Sequence, residues 1–85
     1  MQIITDDNPR NENPSDIRRT LMKNSSNSLE IPSRKKAIER GVRLLKINEG
    51  LLIITGKGHE NNQIYKDKIF TFNDRLVAKS YAKYL

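Results

Sequence analysis

Apolar residues in this chain come in short bursts separated by polar stretches. Residues 3–5, Ile3-Ile4-Thr5, predict a brief first strand. Asn13-Pro14-Ser15-Asp16 then predicts a helix start, with Asn as N-cap, Pro in the first helical position and Asp in the first turn. Ile17 and Leu21 lie four apart and give that helix one apolar face. Residues 24–28 are a loop by composition, and residues 29–31 form a short strand stopped by Pro32. Ser33 caps a second helix with Ile38, Val42 and Leu45 on one face, widened by Ala37, Gly41 and Leu44 and ended by Asn48-Glu49-Gly50. Residues 51–54 are apolar without alternation, the pattern of a strand covered on both faces. Residues 61–67 look like a polar connection and residues 69–72 like a last strand. Asn73 or Asp74 caps a final helix with Val77, Tyr81 and Tyr84 facing inward. The order β-α-β-α-β-β-α predicts an α/β layer architecture with a partly parallel sheet and flanking helices.

At 85 residues the chain makes at most one small domain. A chain of this length buries only ~60–65% of its unfolded surface, so marginal stability is expected. The absence of cysteine excludes disulfides and thiolate metal sites, and agrees with a reducing, cytoplasmic setting. The apolar runs are too short to cross a membrane, and the acidic turn at Asp6 leaves no signal-peptide pattern. The net charge of +6 raises the question of nucleic acid. The basic residues, however, are spread over three predicted helices and a turn, from Arg18-Arg19 and Arg34-Lys35-Lys36 to Lys79 and Lys83. The aromatics sit late in the chain and do not alternate with charge as a base-stacking surface would. A solvated basic face is the better account of that charge.

Candidate chemistry is confined to two polar motifs. Asp7-Asn8-Pro9-Arg10 follows the first apolar run, and Gly56-Lys57-Gly58-His59-Glu60 follows the run at 51–55. Ligands of open α/β sheets bind beyond the carboxyl ends of the strands, so two such loops suggest one site. Pro9 stiffens the first loop beneath Arg10, whose guanidinium is suited to a carboxylate. The glycines of the second loop allow close backbone approach, and Glu60 with Asp7 can hold an ammonium. The plainer alternatives are an Asx-type turn with a surface Arg, solvent exposure for Lys57 and a structural hydrogen bond for His59. The second motif lacks both the P-loop spacing and the third glycine of a dinucleotide fingerprint. His59, the only histidine, makes a poor metal site with one adjacent Glu. No residue pair supplies a nucleophile with a positioned base. The residues offer recognition and no catalytic centre.

Four blocks carry a family resemblance. They are 5–14 (Thr5-Asp6-Asp7-Asn8-Pro9-Arg10-Asn11-Glu12-Asn13-Pro14), 34–38 (Arg34-Lys35-Lys36-Ala37-Ile38), 56–60 (Gly56-Lys57-Gly58-His59-Glu60) and 72–78 (Phe72-Asn73-Asp74-Arg75-Leu76-Val77-Ala78). In order and spacing they resemble the C-terminal domain of the Mur ligases, in the branch that adds meso-diaminopimelate to UDP-N-acetylmuramoyl-L-alanyl-D-glutamate. The resemblance covers nearly the whole of 1–85 and implies an incomplete Rossmann-like domain. It also implies an ATP-dependent ligase that proceeds through an acyl-phosphate to an amide. By motif position, Asp7, Asn8, Arg10, Gly56 and Glu60 would bind the distal end of meso-diaminopimelate. Arg10 would pair with the carboxylate that lysine lacks, and the lysine-adding relatives do not carry this Arg.

Two departures, Asn62 for a common Tyr and Ser33 for a common Asp, leave that clamp untouched. The P-loop, the UDP-sugar domain and the first part of the C-terminal domain are expected to lie outside this chain. ATP and Mg2+ are therefore expected for the full-length enzyme and no cofactor for this chain, with the UDP-MurNAc-dipeptide as the other substrate. Ligation by the chain alone is not expected. An open sheet edge predicts self-association. Two alternatives stay open at this point: a stand-alone binding module without ligase activity, and a small basic nucleic-acid-binding domain.

Overall fold

A computed structural model describes residues 1–48, 50–57 and 60–82. The elements are β1 (Gln2–Ile4), α1 (Pro14–Lys23), β2 (Ser28–Glu30), α2 (Arg34–Ile47), β3 (Asn62–Tyr65), β4 (Lys68–Thr71) and α3 (Asp74–Ala82). The fold is mixed α/β. β1 and β2 pair in parallel, with Ile3 opposite Leu29, and β3 and β4 form an antiparallel hairpin, with Ile64 opposite Ile69. Between the two sheets, Arg10 bridges Tyr65 in the parallel sense. Among the described residues, no helix is long and apolar enough to cross a membrane.

The helix ends follow the expected chemistry. Asn13 accepts a hydrogen bond from the Ser15 amide at the start of α1, and Ser33 accepts one from the Lys36 amide at the start of α2. Asn73 caps α3 by accepting from the Leu76 amide at 3.0 Å. This leaves Asp74 free for another task. The buried residues of α2 are Arg34, Ala37, Ile38, Gly41 and Val42, an unbroken i, i+3, i+4, i+7, i+8 stripe. Gly41 opens that stripe to Leu52, because a Cβ there would stand 2.8 Å from Leu52 Cδ1. Val77 and Tyr81 of α3 are half-buried, and Tyr84 lies outside the described residues.

The core is thin. Among the described residues the buried apolar core consists of Ala37, Ile38 and Val42, with Pro9 buried in the first loop, against five buried polar residues: Asp6, Arg34, Lys57, Gln63 and Asp74. The accessible surface is 6472 Å², whereas a compact monomer of this mass exposes about 5,200 Å². A polar network therefore joins the elements where apolar packing is scarce. α1 illustrates the point: it buries no residue and leaves Leu21 exposed, but Arg18 ties it to Asp6 at 2.5 Å and to Glu30 at 2.8 Å.

Three expectations need correction. Residues 51–54 are not a strand. Leu51 and Ile53 are 83% and 72% exposed, while Leu52 turns toward Gly41. A run of strand-forming residues becomes a strand only when a neighbour accepts its backbone hydrogen bonds. Residues 61–67 are not a plain connection, because they contain β3, whose side chains and amides are drawn to the loop at 6–10. Arg34 does not belong to the solvated basic face. It is 4% exposed, since Asp74 offers it a carboxylate inside the molecule.

Candidate functional site

The loop at 6–10 leaves β1 and runs beside β3. The Ile64 amide donates to Asn8 Oδ1 at 2.8 Å, and the Ile64 carbonyl accepts from the Arg10 amide at 3.1 Å. Lys66 returns a hydrogen bond to the Arg10 carbonyl at 2.5 Å. Held on both sides, Arg10 adopts φ +55, a left-handed conformation uncommon for a residue with a Cβ. Such a conformation persists only where surrounding contacts impose it. The Arg10 side chain is exposed and makes no ion pair among the described residues. It lines an open groove of about 500 Å³ together with Glu12, Pro14, Tyr65, Lys66 and Lys68.

The second loop meets the first at Asn8. Asn8 Nδ2 donates to Glu60 Oε2 at 3.1 Å, linking residues 52 apart in sequence. The Glu60 amide donates to the Lys57 carbonyl at 3.1 Å. Gly56 has φ +109, a conformation that glycine tolerates. A Cβ there would lie 3.0 Å from Asp7 Oδ2, so glycine is also what lets the two loops touch. Asp7 Oδ1 is buried without a hydrogen bond and lies 4.0 Å from Lys57 Nζ.

The five candidate residues thus fall into two contacts and a neighbour. Asn8 joins Glu60, Asp7 faces Gly56, and Arg10 lies two residues beyond Asn8 on the rim of the groove. No described contact links Arg10 directly to Glu60. His59 lies outside the described residues.

Beneath the loops is a network that the sequence motifs did not disclose. Arg34 forks onto Asp74 and also donates to the carbonyls of Asp6, at the end of β1, and Thr55, before the glycine turn. Burial works against its charge, but the hydrogen bonds and charge of Asp74, then the charges of Asp7 and Glu60, more than offset it and raise its pKa above the ordinary value. Tyr65 donates to Asp6 Oδ2 at 2.8 Å. Burial first, then the bond to Asp6 and its negative charge, push the Tyr65 hydroxyl up to about 12, against the opposing pull of Arg18 and Arg34. Gln63 Nε2 donates to the carbonyls of Asp6 and Asp7. Lys57, for which solvent exposure was the plainer alternative, is 2% exposed, because Asn8, Asn62 and Asp7 surround its ammonium.

No family model matches the chain. Curated relatives do match. The chain is 47% identical over 77 residues to the UDP-N-acetylmuramoyl-L-alanyl-D-glutamate--2,6-diaminopimelate ligase of Anaplasma marginale, covering 91% of this chain. It is 48% identical over 82 residues to the same-named ligase of Helicobacter pylori, covering 93% of this chain. By sequence the chain belongs with the Mur ligases. A third relative, ligase 2 of this name from Clostridium acetobutylicum, is 49% identical over 80 residues. This Mur chain spans only 16%, 18% and 16% of the length of those three relatives. Among its described residues no group of three or more His, Cys, Asp or Glu side chains could hold a metal ion. The P-loop spacing is likewise not in its sequence.

Proposed function

We propose that this chain is the C-terminal amino-acid-recognition part of an ATP-dependent ligase that adds meso-diaminopimelate to UDP-MurNAc-L-Ala-D-Glu in the cytoplasm. Its own task is recognition of the incoming diamino acid, and the chain alone does not ligate. The observation that carries this reading is the 3.1 Å contact between Asn8 and Glu60, which brings the two polar loops to one place. Glu60 then offers a carboxylate to an ammonium, and the Arg10 guanidinium, without an ion-pair partner among the described residues, offers two parallel donors to a carboxylate. Asp7 and Gly56 shape the junction between the loops. Lysine has the distal ammonium of diaminopimelate without its carboxylate, so it would leave Arg10 unpaired. A site built around such a pair rejects the analogue that lacks the partner group.

Titration calorimetry of meso-diaminopimelate against L-lysine, on the wild-type chain and on Arg10→Ala, tests the reading. Binding to the chain alone is expected to be weak, with a preference for meso-diaminopimelate that disappears in the variant. Equal heats for the two ligands, or a preference that survives Arg10→Ala, would overturn it.

A further inference from the structure

Lys57 is the most deeply buried charged side chain among those described, with none of it exposed. Taking an ammonium out of water costs several kcal/mol unless partners replace the lost hydration. Packing alone would be served as well by methionine, so the partners indicate what the charge does. Lys57 Nζ donates to Asn8 Oδ1 at 3.2 Å and to the Asn62 carbonyl, and lies 4.0 Å from the otherwise unpartnered Asp7 Oδ1. It therefore reaches the first loop at two successive residues and β3 at its first residue.

The contact with Asn8 has a chemical consequence. A side-chain amide presents an oxygen that accepts and a nitrogen that donates. Asn8 Oδ1 receives two donors, Lys57 Nζ and the Ile64 amide, and neither can accept. The oxygen must face inward, so Nδ2 faces Glu60 with one N–H engaged at 3.1 Å and a second left over. The Ile64 amide alone favours that orientation, while the lysine adds a charge-assisted bond and ties it to the loop that bears Glu60.

We infer that Lys57 is a positioning residue that, through Asn8, turns a hydrogen-bond donor toward the carboxylate end of the bound amino acid. The role rests on the proposed function. It deepens that function by giving Lys57 the task of orienting the Asn8 amide beside Arg10, and it leaves recognition of the ammonium to Glu60.

The test begins without ligand. In ¹⁵N spectra of the 85-residue chain, Lys57→Met should shift the Asn8 Nδ2 signals, remove their contact with Glu60 and speed hydrogen exchange at the Ile64 amide. Amides within α2 should keep their protection. Unchanged Asn8 and Ile64 signals would overturn the inference. If Lys57→Met does not fold, Asn8→Asp carries the test, because it keeps the acceptor and alters its charge. The Lys57 Nζ resonance should then move, and an unmoved resonance would overturn the inference. With ligand, Lys57→Met should lower the preference for meso-diaminopimelate over L-lysine by about tenfold, as for one hydrogen bond lost, with lysine binding unaltered. An unaltered preference would also overturn it. A wild-type chain with no preference would instead count against the proposed function, since the ligand-free spectra read the arrangement of Lys57 and Asn8 by themselves.

Discussion

Arg34 and Asp74, 40 residues apart, meet through two parallel hydrogen bonds of 2.7 Å each, and both side chains are almost wholly buried. The pair joins the first turn of α2 to the first turn of α3. Through its remaining donors, Arg34 also reaches the backbone beneath both polar loops. Removing one partner of a buried pair leaves an uncompensated charge and costs about 3–5 kcal/mol. A domain of this length has a total stability of only about 4–13 kcal/mol. Asp74→Asn or Arg34→Met should therefore bring the chain close to unfolding, read as a fall in the urea midpoint. The double variant Arg34→Met/Asp74→Leu should recover part of the loss, because it leaves no lone charge. A midpoint unchanged by either single variant would show that the pair contributes little.

Tyr65 makes stability depend on alkaline pH. Its folded pKa of about 12 lies above the ordinary value of 10.0, so the folded state holds the phenolic proton more tightly. The contribution is complete below pH 10.0 and is lost as pH rises toward about 12. Thermal melts across that window should show a steeper decline for wild type than for Tyr65→Phe, which cannot titrate. Parallel declines would mean that the bond to Asp6 is not formed in solution.

Two glycines should answer differently to the same substitution. Gly56→Ala forces a Cβ onto a backbone at φ +109 and against Asp7, and should cost about 1–3 kcal/mol. At Gly50 the nearest atom to a new Cβ is Leu45 Cδ2 at 4.0 Å. Gly50→Ala should stay within about 0.5 kcal/mol of wild type. Denaturant titration of the two variants side by side separates the strained position from the open one.

If Glu60 reads an ammonium and Arg10 a carboxylate, their variants should differ in ligand dependence. Glu60→Gln should weaken meso-diaminopimelate and L-lysine alike, whereas Arg10→Ala should weaken only the former. Calorimetric titrations of both ligands on both variants give the pattern, and a uniform loss in the two variants would separate neither role.

Exposed apolar residues predict self-association. Leu51, Ile53, Ile69 and Leu76 are each well over half open to solvent, and among the described residues β1 has a strand neighbour on one side only. Unpaired strand edges and apolar surface favour pairing between copies. Sedimentation velocity should show a weight-average mass that rises with concentration, and Ile53→Lys should suppress the rise. A monomer at all concentrations would contradict this.

Much of the fold was legible where the signal is local. Asn13 and Ser33 announce helix starts because a cap needs only its own next turn, and the spacing from Ala37 to Val42 marks the buried face of α2 because helical geometry repeats. The two loops were legible as motifs, and Asn8 with Glu60 do come together. What could not be read depends on partners distant in sequence. Residues 51–54 have strand chemistry without a strand beside them. Asn62-Gln63 looks like loop composition, yet Gln63 is buried by two carbonyls from the other end of the chain. Lys57 and Arg34 look like surface charges until Asn8 and Asp74 are found waiting for them. One signal was available: charged residues inside otherwise characteristic motifs, at positions that a solvated face alone would not explain.

Gln63, Ile64 and Tyr65 each grasp the segment at 6–8: Gln63 through two carbonyls, Ile64 through the Asn8 amide and Tyr65 through the Asp6 carboxylate. These three holds alternate between side chain, backbone and side chain. A slip of the hairpin by one residue would therefore break all of them at once and reform none. The alignment of the hairpin with the first loop works like a key in a lock with a single notch: it is either seated or released, with no intermediate setting in which the two halves of the site are partly assembled.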